Sequence, residues 1–155
     1  MSSRRFLARI PYAQHFSTGE VKNHTLKFHK ISQIDGSGKC DIYKTNKSID
    51  SVRGVIYQVS IEDKKNLDVI EGLGLGYEEK AVTVVLDNGG KVEALAYYAI
   101  TVNPLLKPFN WYKEHVLRGA IENNLPGYYI DEIARVESVE DHDKVRYKRE
   151  MALYL

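Results

Sequence analysis

The sequence predicts an α+β fold, because two hairpin patterns and four helical patterns follow one another along a chain of 155 residues. The first hairpin signal is an alternating run from Phe16 to Tyr43 broken by the turn Asp35-Gly36-Ser37-Gly38. The second joins Tyr77–Leu86 to Val92–Ile100 through Asp87-Asn88-Gly89-Gly90. The helical patterns are apolar residues at three- and four-residue spacing, flanked by capping and stopping residues. A chain of this length buries more than about two thirds of the surface it exposes when unfolded, so a core forms without crosslinks. Cys40 is the sole cysteine, which excludes an internal disulfide.

In chain order, Ser2 and Ser3 cap a short helix over Arg4–Ile10, in which Phe6, Leu7 and Ile10 share a face and Pro11 follows. Within the first hairpin, Leu26 and Phe28 lie on one face, and Cys40, Ile42 and Tyr43 follow the turn. Val52–Val59 is the clearest strand, with Val55, Tyr57 and Val59 on one face and Ile56 and Gln58 on the other; Gly54 inside it predicts a bulge or a close backbone approach. Ser60 and Asp63 form a variant capping box for a helix with Leu67 and Ile70 on its apolar stripe and Glu71 in its last turn, ended by Gly72, Gly74 and Gly76. Pro108 opens a further helix, in which Tyr112, Val116, Leu117, Ala120 and Ile121 keep helical spacing until Asn123, Asn124 and Pro126 stop it. A short helix over Tyr129–Val136 follows. One domain is expected over residues 1–140, with 141–155 as a charge-rich C-terminal tail, docked or frayed.

Charge and hydropathy narrow the function classes. Lys+Arg 22 against Asp+Glu 21 leaves a net charge of +1, which argues against nucleic-acid binding. No apolar run is long enough to span a membrane and the N-terminus lacks the apolar stretch of a signal peptide, so a cytoplasmic protein without a membrane partner is expected. The charge is uneven: residues 1–48 carry nine Lys/Arg and three Asp/Glu, residues 49–155 thirteen and eighteen. A solvated basic face is the commoner origin of such asymmetry, an anion-binding wall the rarer one.

Most motifs have ordinary explanations. Gly72-Leu73-Gly74-Leu75-Gly76 follows a helix, whereas a phosphate-cradling loop runs from a strand into a helix N-terminus. Gly36-Ser37-Gly38-Lys39 lacks the upstream glycine spacing of a phosphate loop and is followed by Cys40 in place of a hydroxyl. His15, His24, His29, His115 and Asp141-His142-Asp143 have no metal-ligand spacing, so no metal site is expected and the histidines read as solvated. Cys40 reads as a small core residue rather than a nucleophile. Glu71 stands out because a carboxylate is disfavoured at the negative end of a helix. With Ile70 and Leu73 beside it, it is either a solvated helix-end acid or a group that both takes and gives protons.

The segments Asp35-Gly36-Ser37-Gly38-Lys39-Cys40, Gly54-Val55-Ile56-Tyr57, Asp68 to Tyr77, Lys107-Pro108-Phe109-Asn110-Trp111-Tyr112, Gly119-Ala120 and Leu125-Pro126-Gly127-Tyr128-Tyr129 resemble, in order and spacing, the γ-glutamylcyclotransferase family. The resemblance extends to about residue 136 and implies a small mixed β-barrel with flanking helices. It also implies a reaction in which a γ-glutamyl amide cyclises to 5-oxoproline and releases an amine or amino acid, as in glutathione metabolism. The family's general acid/base glutamate carries over onto Glu71, followed by Gly72 in the substrate-binding loop. Tyr77 and Tyr112 resemble family aromatics near the pocket, where they offer hydroxyls or serve as half-buried aromatics. Because the substrate's own amine attacks its γ-carbonyl, proximity is supplied by the substrate, and backbone amides stabilise the oxyanion; no metal or organic cofactor is expected. The expected partner is a small γ-glutamyl substrate, the expected assembly a monomer or homodimer.

Two departures from the family pattern bear on activity. Family members open with a strand leading into a Tyr-Gly-Ser-Asn loop; here Met1-Ser2-Ser3-Arg4-Arg5-Phe6 fits as the continuation of that loop, and the strand and loop do not occur in the sequence. Glu78-Glu79-Lys80 stands where relatives often carry a tyrosine or arginine. The rival expectation is therefore a non-catalytic small-molecule-binding or interaction module that kept the fold.

Overall fold

A computed structural model describes residues 2–155. Six strands form two antiparallel sheets: β1 (Gln14–Lys22), β2 (His24–Ile31), β3 (Gly38–Lys44), β4 (Ser51–Gln58), β5 (Tyr77–Leu86) and β6 (Lys91–Ala99). The order is β4-β1-β5-β6 in the larger sheet and β2-β3 in the smaller. The helices are α1 (Ser3–Arg9), α2 (Ile61–Glu71), α3 (Asn110–Glu122), α4 (Gly127–Arg135) and α5 (Lys144–Met151), followed by a 3-10 turn at Ala152–Tyr154. The α+β class stands, but the strands do not close into a barrel. Among the described residues β3 and β4 each pair with a strand on one side only, and both line a cavity.

The alternating run at 16–43 is three strands rather than one hairpin, because the chain turns a corner at Asn23. Asn23 adopts φ 62, a conformation asparagine tolerates better than other side-chain-bearing residues. Its amide donates to the Asp50 carbonyl at 2.8 Å and its carbonyl accepts from the Thr45 amide at 2.8 Å. One residue thus carries the chain from β1 in one sheet to β2 in the other. The close approach expected at Gly54 occurs instead at Gly38, where a Cβ would lie 2.1 Å from the Phe28 carbonyl oxygen; nothing lies within 4 Å of one at Gly54. The irregularity in the β1–β4 ladder falls between His15 and Ser17.

Phe28 of β2 packs with Val116 and Ala120 of α3, Leu125, and Tyr129 and Ile133 of α4 in the main apolar cluster. A second cluster, Ile10, Ala13 and Leu67, holds the end of α1 against α2. The expectation of solvated histidines fails for three of them. His115 is fully buried, His24 is buried against Lys80, and His29 Nε2 donates to the Asp41 carboxylate at 2.7 Å.

The segment from Asp141 onward docks on α1 and α3. Buried Asp141 accepts from the Trp111 indole at 2.8 Å and, bidentately, from Arg146 at 2.6 Å. Glu150 accepts from Arg5 of α1 and pairs with His115, whose other ring nitrogen meets the Tyr154 hydroxyl at 2.5 Å. These bonds to His115 and Arg5 hold the Glu150 carboxyl down at about 2. A depressed folded-state value contributes stability that is present above the ordinary carboxylate range near 4.5 and lost as pH falls toward 2. Urea melts should accordingly show Glu150→Gln less stable than the parent by about 1.5–3 kcal/mol at pH 7. The gap should narrow progressively at pH 3 and below.

Candidate functional site

Helix α2 sets the site. Ser60 caps it, accepting from the Asp63 amide at 3.0 Å while its hydroxyl donates to the Asp63 carboxylate at 2.9 Å, a reciprocal pair close to the predicted capping box. The helix ends at Glu71 because Gly72 takes φ 72, the left-handed conformation that terminates helices. Every amide from Gly72 to Gly76 then finds a protein acceptor: Val69, Asp68, Tyr77, Gly72 and Gly72 in turn. None is left for an anion, so the three-glycine loop is a helix stop and a turn into β5, as its position after a helix implies.

A cavity of about 370 Å³ lies between the sheets and α1, α3 and α4. Its walls bring together three of the four residues singled out in the sequence, Glu71, Tyr77 and Tyr112; Gly72 is adjacent to Glu71 but does not line the wall. Tyr77 and Tyr112 do not present free hydroxyls. The Tyr77 hydroxyl donates to the Cys40 carbonyl at 2.6 Å, and the Tyr112 hydroxyl accepts from the Cys40 amide at 3.1 Å. Burial pushes both phenols well above their ordinary range, so both stay protonated. Cys40 sits between them with its thiol pushed up to about 11 by burial, which leaves no thiolate at neutral pH and agrees with a core role.

Glu71 meets a different environment from the apolar one anticipated. Ile70 is exposed, and Arg9 Nη1 donates to Glu71 Oε1 at 3.2 Å. The carboxylate keeps 19% of its side-chain exposure, so it is paired yet reachable. Arg5, one turn before Arg9 on α1, lines the same cavity, and its Nε has no hydrogen-bond partner. Lys30 of β2 lies behind Tyr77, with Nζ 4.7 Å from the ring centroid. The basic excess of the first 48 residues is therefore not a solvated face throughout: Arg5, Arg9, Lys30 and Lys39 turn toward Glu71, Glu150 and Asp35.

Sequence reading missed these cations. Arg5 and Arg9 carry a usable signal, the four-residue spacing that puts them on one helix face; Lys30 carries none, because its neighbours come from distant segments. No group of His, Cys, Asp and Glu that could hold a metal occurs among the described residues. Nor is any described helix long and apolar enough to cross a membrane.

Comparison with known proteins matches residues 51–133, which contain β4, α2, Glu71 and the following strands and helices, to the AIG2-like family. The chain belongs to the AIG2-like family. A Methanocaldococcus jannaschii protein provisionally named a gamma-glutamylcyclotransferase is 34% identical over 53 residues, a match that spans 34% of this chain and 44% of that protein. Among solved structures, one titled gamma-glutamyl cyclotransferase superposes with a TM-score of 0.87 at 24% identity, over 98% of this chain and 91% of that one. An uncharacterized protein from Homo sapiens gives 0.88 at 24% identity, over 99% and 92%. The family resemblance read in the sequence holds, and the family's fold is the one observed.

The Cys40 peptide yields a stability test of this architecture. Tyr77→Phe and Tyr112→Phe each strip one partner from a buried backbone group, and each should cost about 1–3 kcal/mol in chemical denaturation. Because both act on one peptide, the double variant should depart from the sum by at least about 0.5 kcal/mol, readable as a double-mutant cycle.

Proposed function

We propose that the chain is a γ-glutamylcyclotransferase-like enzyme that converts a γ-glutamyl amino acid or amine to 5-oxoproline and the free amine. The observation that carries this reading is Glu71 on the wall of a cavity large enough for a small molecule, in a chain of the AIG2-like family; the other carboxylate on that wall, Asp41, is buried and held by His29 and the Ala99 amide. In the proposed step the substrate's α-ammonium gives up one proton to water, and as the freed amine attacks the γ-carbonyl carbon its second proton passes to Glu71. A carbon–nitrogen bond forms to close the five-membered ring. The original amide carbon–nitrogen bond then breaks as Glu71 returns the proton to the departing amine. Atoms and protons balance with one carboxyl group, since the substrate supplies both nucleophile and electrophile.

Arg9 orients the carboxylate through its bond to Oε1 and leaves Oε2 to exchange the proton. Tyr77 and Tyr112, fixed to Cys40, shape the wall rather than transfer protons in this reading. Gly72 gives Glu71 its place at the end of α2, and the substrate-binding role assigned to that loop is one of position.

The test is a product assay with a panel of γ-glutamyl amides. The parent chain should release 5-oxoproline, and Glu71→Gln should turn over about 10²–10⁴-fold more slowly with its fold unchanged. Undiminished ring closure in Glu71→Gln overturns the assignment. Release of open-chain glutamate identifies an amidase instead. Binding without turnover in the parent identifies a binding module.

A further inference from the structure

A second cavity, of about 350 Å³, opens at the corner where the chain passes from one sheet to the other, and it shares no lining residue with the cavity around Glu71. Its charged walls are cationic: Lys22 at the end of β1, Lys44 at the end of β3 and Lys80 on β5, joined by Asn23, His24 and Thr83. Among the described residues no acid lines it. Strand register explains the convergence. His24 and Lys44 stand directly opposite each other in the β2–β3 pair, and the Asn23 corner brings His24 within reach of Lys80 from the other sheet.

The three ammonium groups differ in what neutralises them. Lys22 pairs with Glu20 at 2.6 Å, whereas among the described residues Lys44 and Lys80 have no acid at ion-pair distance. Asp41, whose charge reaches Lys80, is held by His29 and the Ala99 amide, and Glu93 accepts from the Thr83 hydroxyl at 2.5 Å. Lys80 instead donates to His24 Nε2 at 2.8 Å and lies 5.1 Å from the Tyr98 ring centroid. The histidine answers with a lone pair and not with a charge. Its Nδ1 faces the Lys22 carbonyl at 2.7 Å, so the ring proton sits there and Nε2 is left to accept. Burial holds Lys80 below its ordinary range, with Lys44 adding to the effect and Asp41 opposing it. An ammonium has three donors, and His24 takes one. Lys80 thus brings unspent donors and an unpaired charge to a pocket that holds a second unpaired cation, and an anion completes both.

We infer that this pocket binds a small tetrahedral oxyanion of the phosphate class, held between Lys80 and Lys44 with Lys22 at the rim. Cations arriving from three strands match a group whose oxygens point in several directions and whose charge is about −2. A carboxylate offers two oxygens in one plane and a single charge, and satisfies fewer of them. Inorganic phosphate and a phosphorylated small molecule share the required chemistry, and the volume admits either. The site is separate from the reaction proposed at Glu71 and stands or falls without it. It also gives part of the basic excess of the first 48 residues a destination, since Lys22 and Lys44 belong to it.

The experiment titrates the full chain with inorganic phosphate, glycerol phosphate and acetate at one fixed ionic strength, read by calorimetry and by amide NMR shifts. The parent should bind phosphate saturably at a single site in the millimolar range or tighter, with the largest shifts at residues 21–24, 44 and 80–83. Lys44→Met and Lys80→Met should each weaken binding by about 10–100-fold, the span of one charged hydrogen bond. Lys80→Arg should retain most of it. Lys44 is exposed, so its variant reads the site even where Lys80→Met fails to fold. Glycerol phosphate bound more tightly than phosphate supports the site and identifies an organic phosphate as its ligand; glycerol phosphate bound no more tightly supports the site and identifies the free ion. No saturable binding by the parent, acetate bound as tightly as phosphate, undiminished binding in Lys44→Met, or shifts centred on the cavity around Glu71 each overturn the inference.

Discussion

The site depends on how one peptide group is satisfied. Cys40 lies on β3, whose outer edge has no hydrogen-bonded strand among the described residues, and a buried amide and carbonyl left bare cost about as much as a lost hydrogen bond each. Two phenol groups take them instead, one from α3 and one from β5. Because Tyr112 and Tyr77 come from segments remote in sequence, this single peptide ties β3, β5 and α3 together around the cavity. It also fixes the ring on which Lys30 lies. The hydroxyls are consequently structural, which in the proposed reaction leaves the proton transfer to Glu71.

The distribution of charge follows from the same enclosure. Cations taken out of water need partners, and the N-terminal segment supplies more of them than it supplies acids. The shortfall is met from the rest of the chain: Glu71 at the end of α2 receives Arg9, and Glu150 receives Arg5. An asymmetry that looks along the sequence like a basic face is thus, in three dimensions, partly a set of pairings, with Arg5 on Glu150, Arg9 on Glu71 and Lys39 on Asp35.

Local signals made much of the fold legible. Ser60 with Asp63, the Gly72 stop, the Asp87-Asn88-Gly89-Gly90 turn and the helical spacing after Pro108 each reflect a rule that acts within a few residues, and each corresponds to an observed element. The corner at Asn23 was not legible, since an asparagine in a polar stretch carries no sign of which sheet the next strand will join. Nor was the open gap between β3 and β4, because sheet closure depends on pairings between distant strands. Glu71 stands out at a helix end and Tyr77 and Tyr112 through family resemblance; the structure places all three on one cavity wall. The partners of their polar groups, Arg9 and the Cys40 peptide, depend on side-chain reach and could not be read from spacing.

The clasp between α1 and the last helices has a consequence for synthesis. Arg5 and Glu150 are separated by 145 positions, and Arg4 reaches the Leu153 carbonyl across 149. A nascent polypeptide emerges from its N-terminal end, so the first helix leaves the ribosome long before its acidic partner has been made. Until then the Arg5 guanidinium lacks its carboxylate partner, and the helix one of its fastenings. Helix α1 is therefore fully secured only after the segment carrying Glu150 has followed it, and the pocket wall it contributes becomes permanent no earlier.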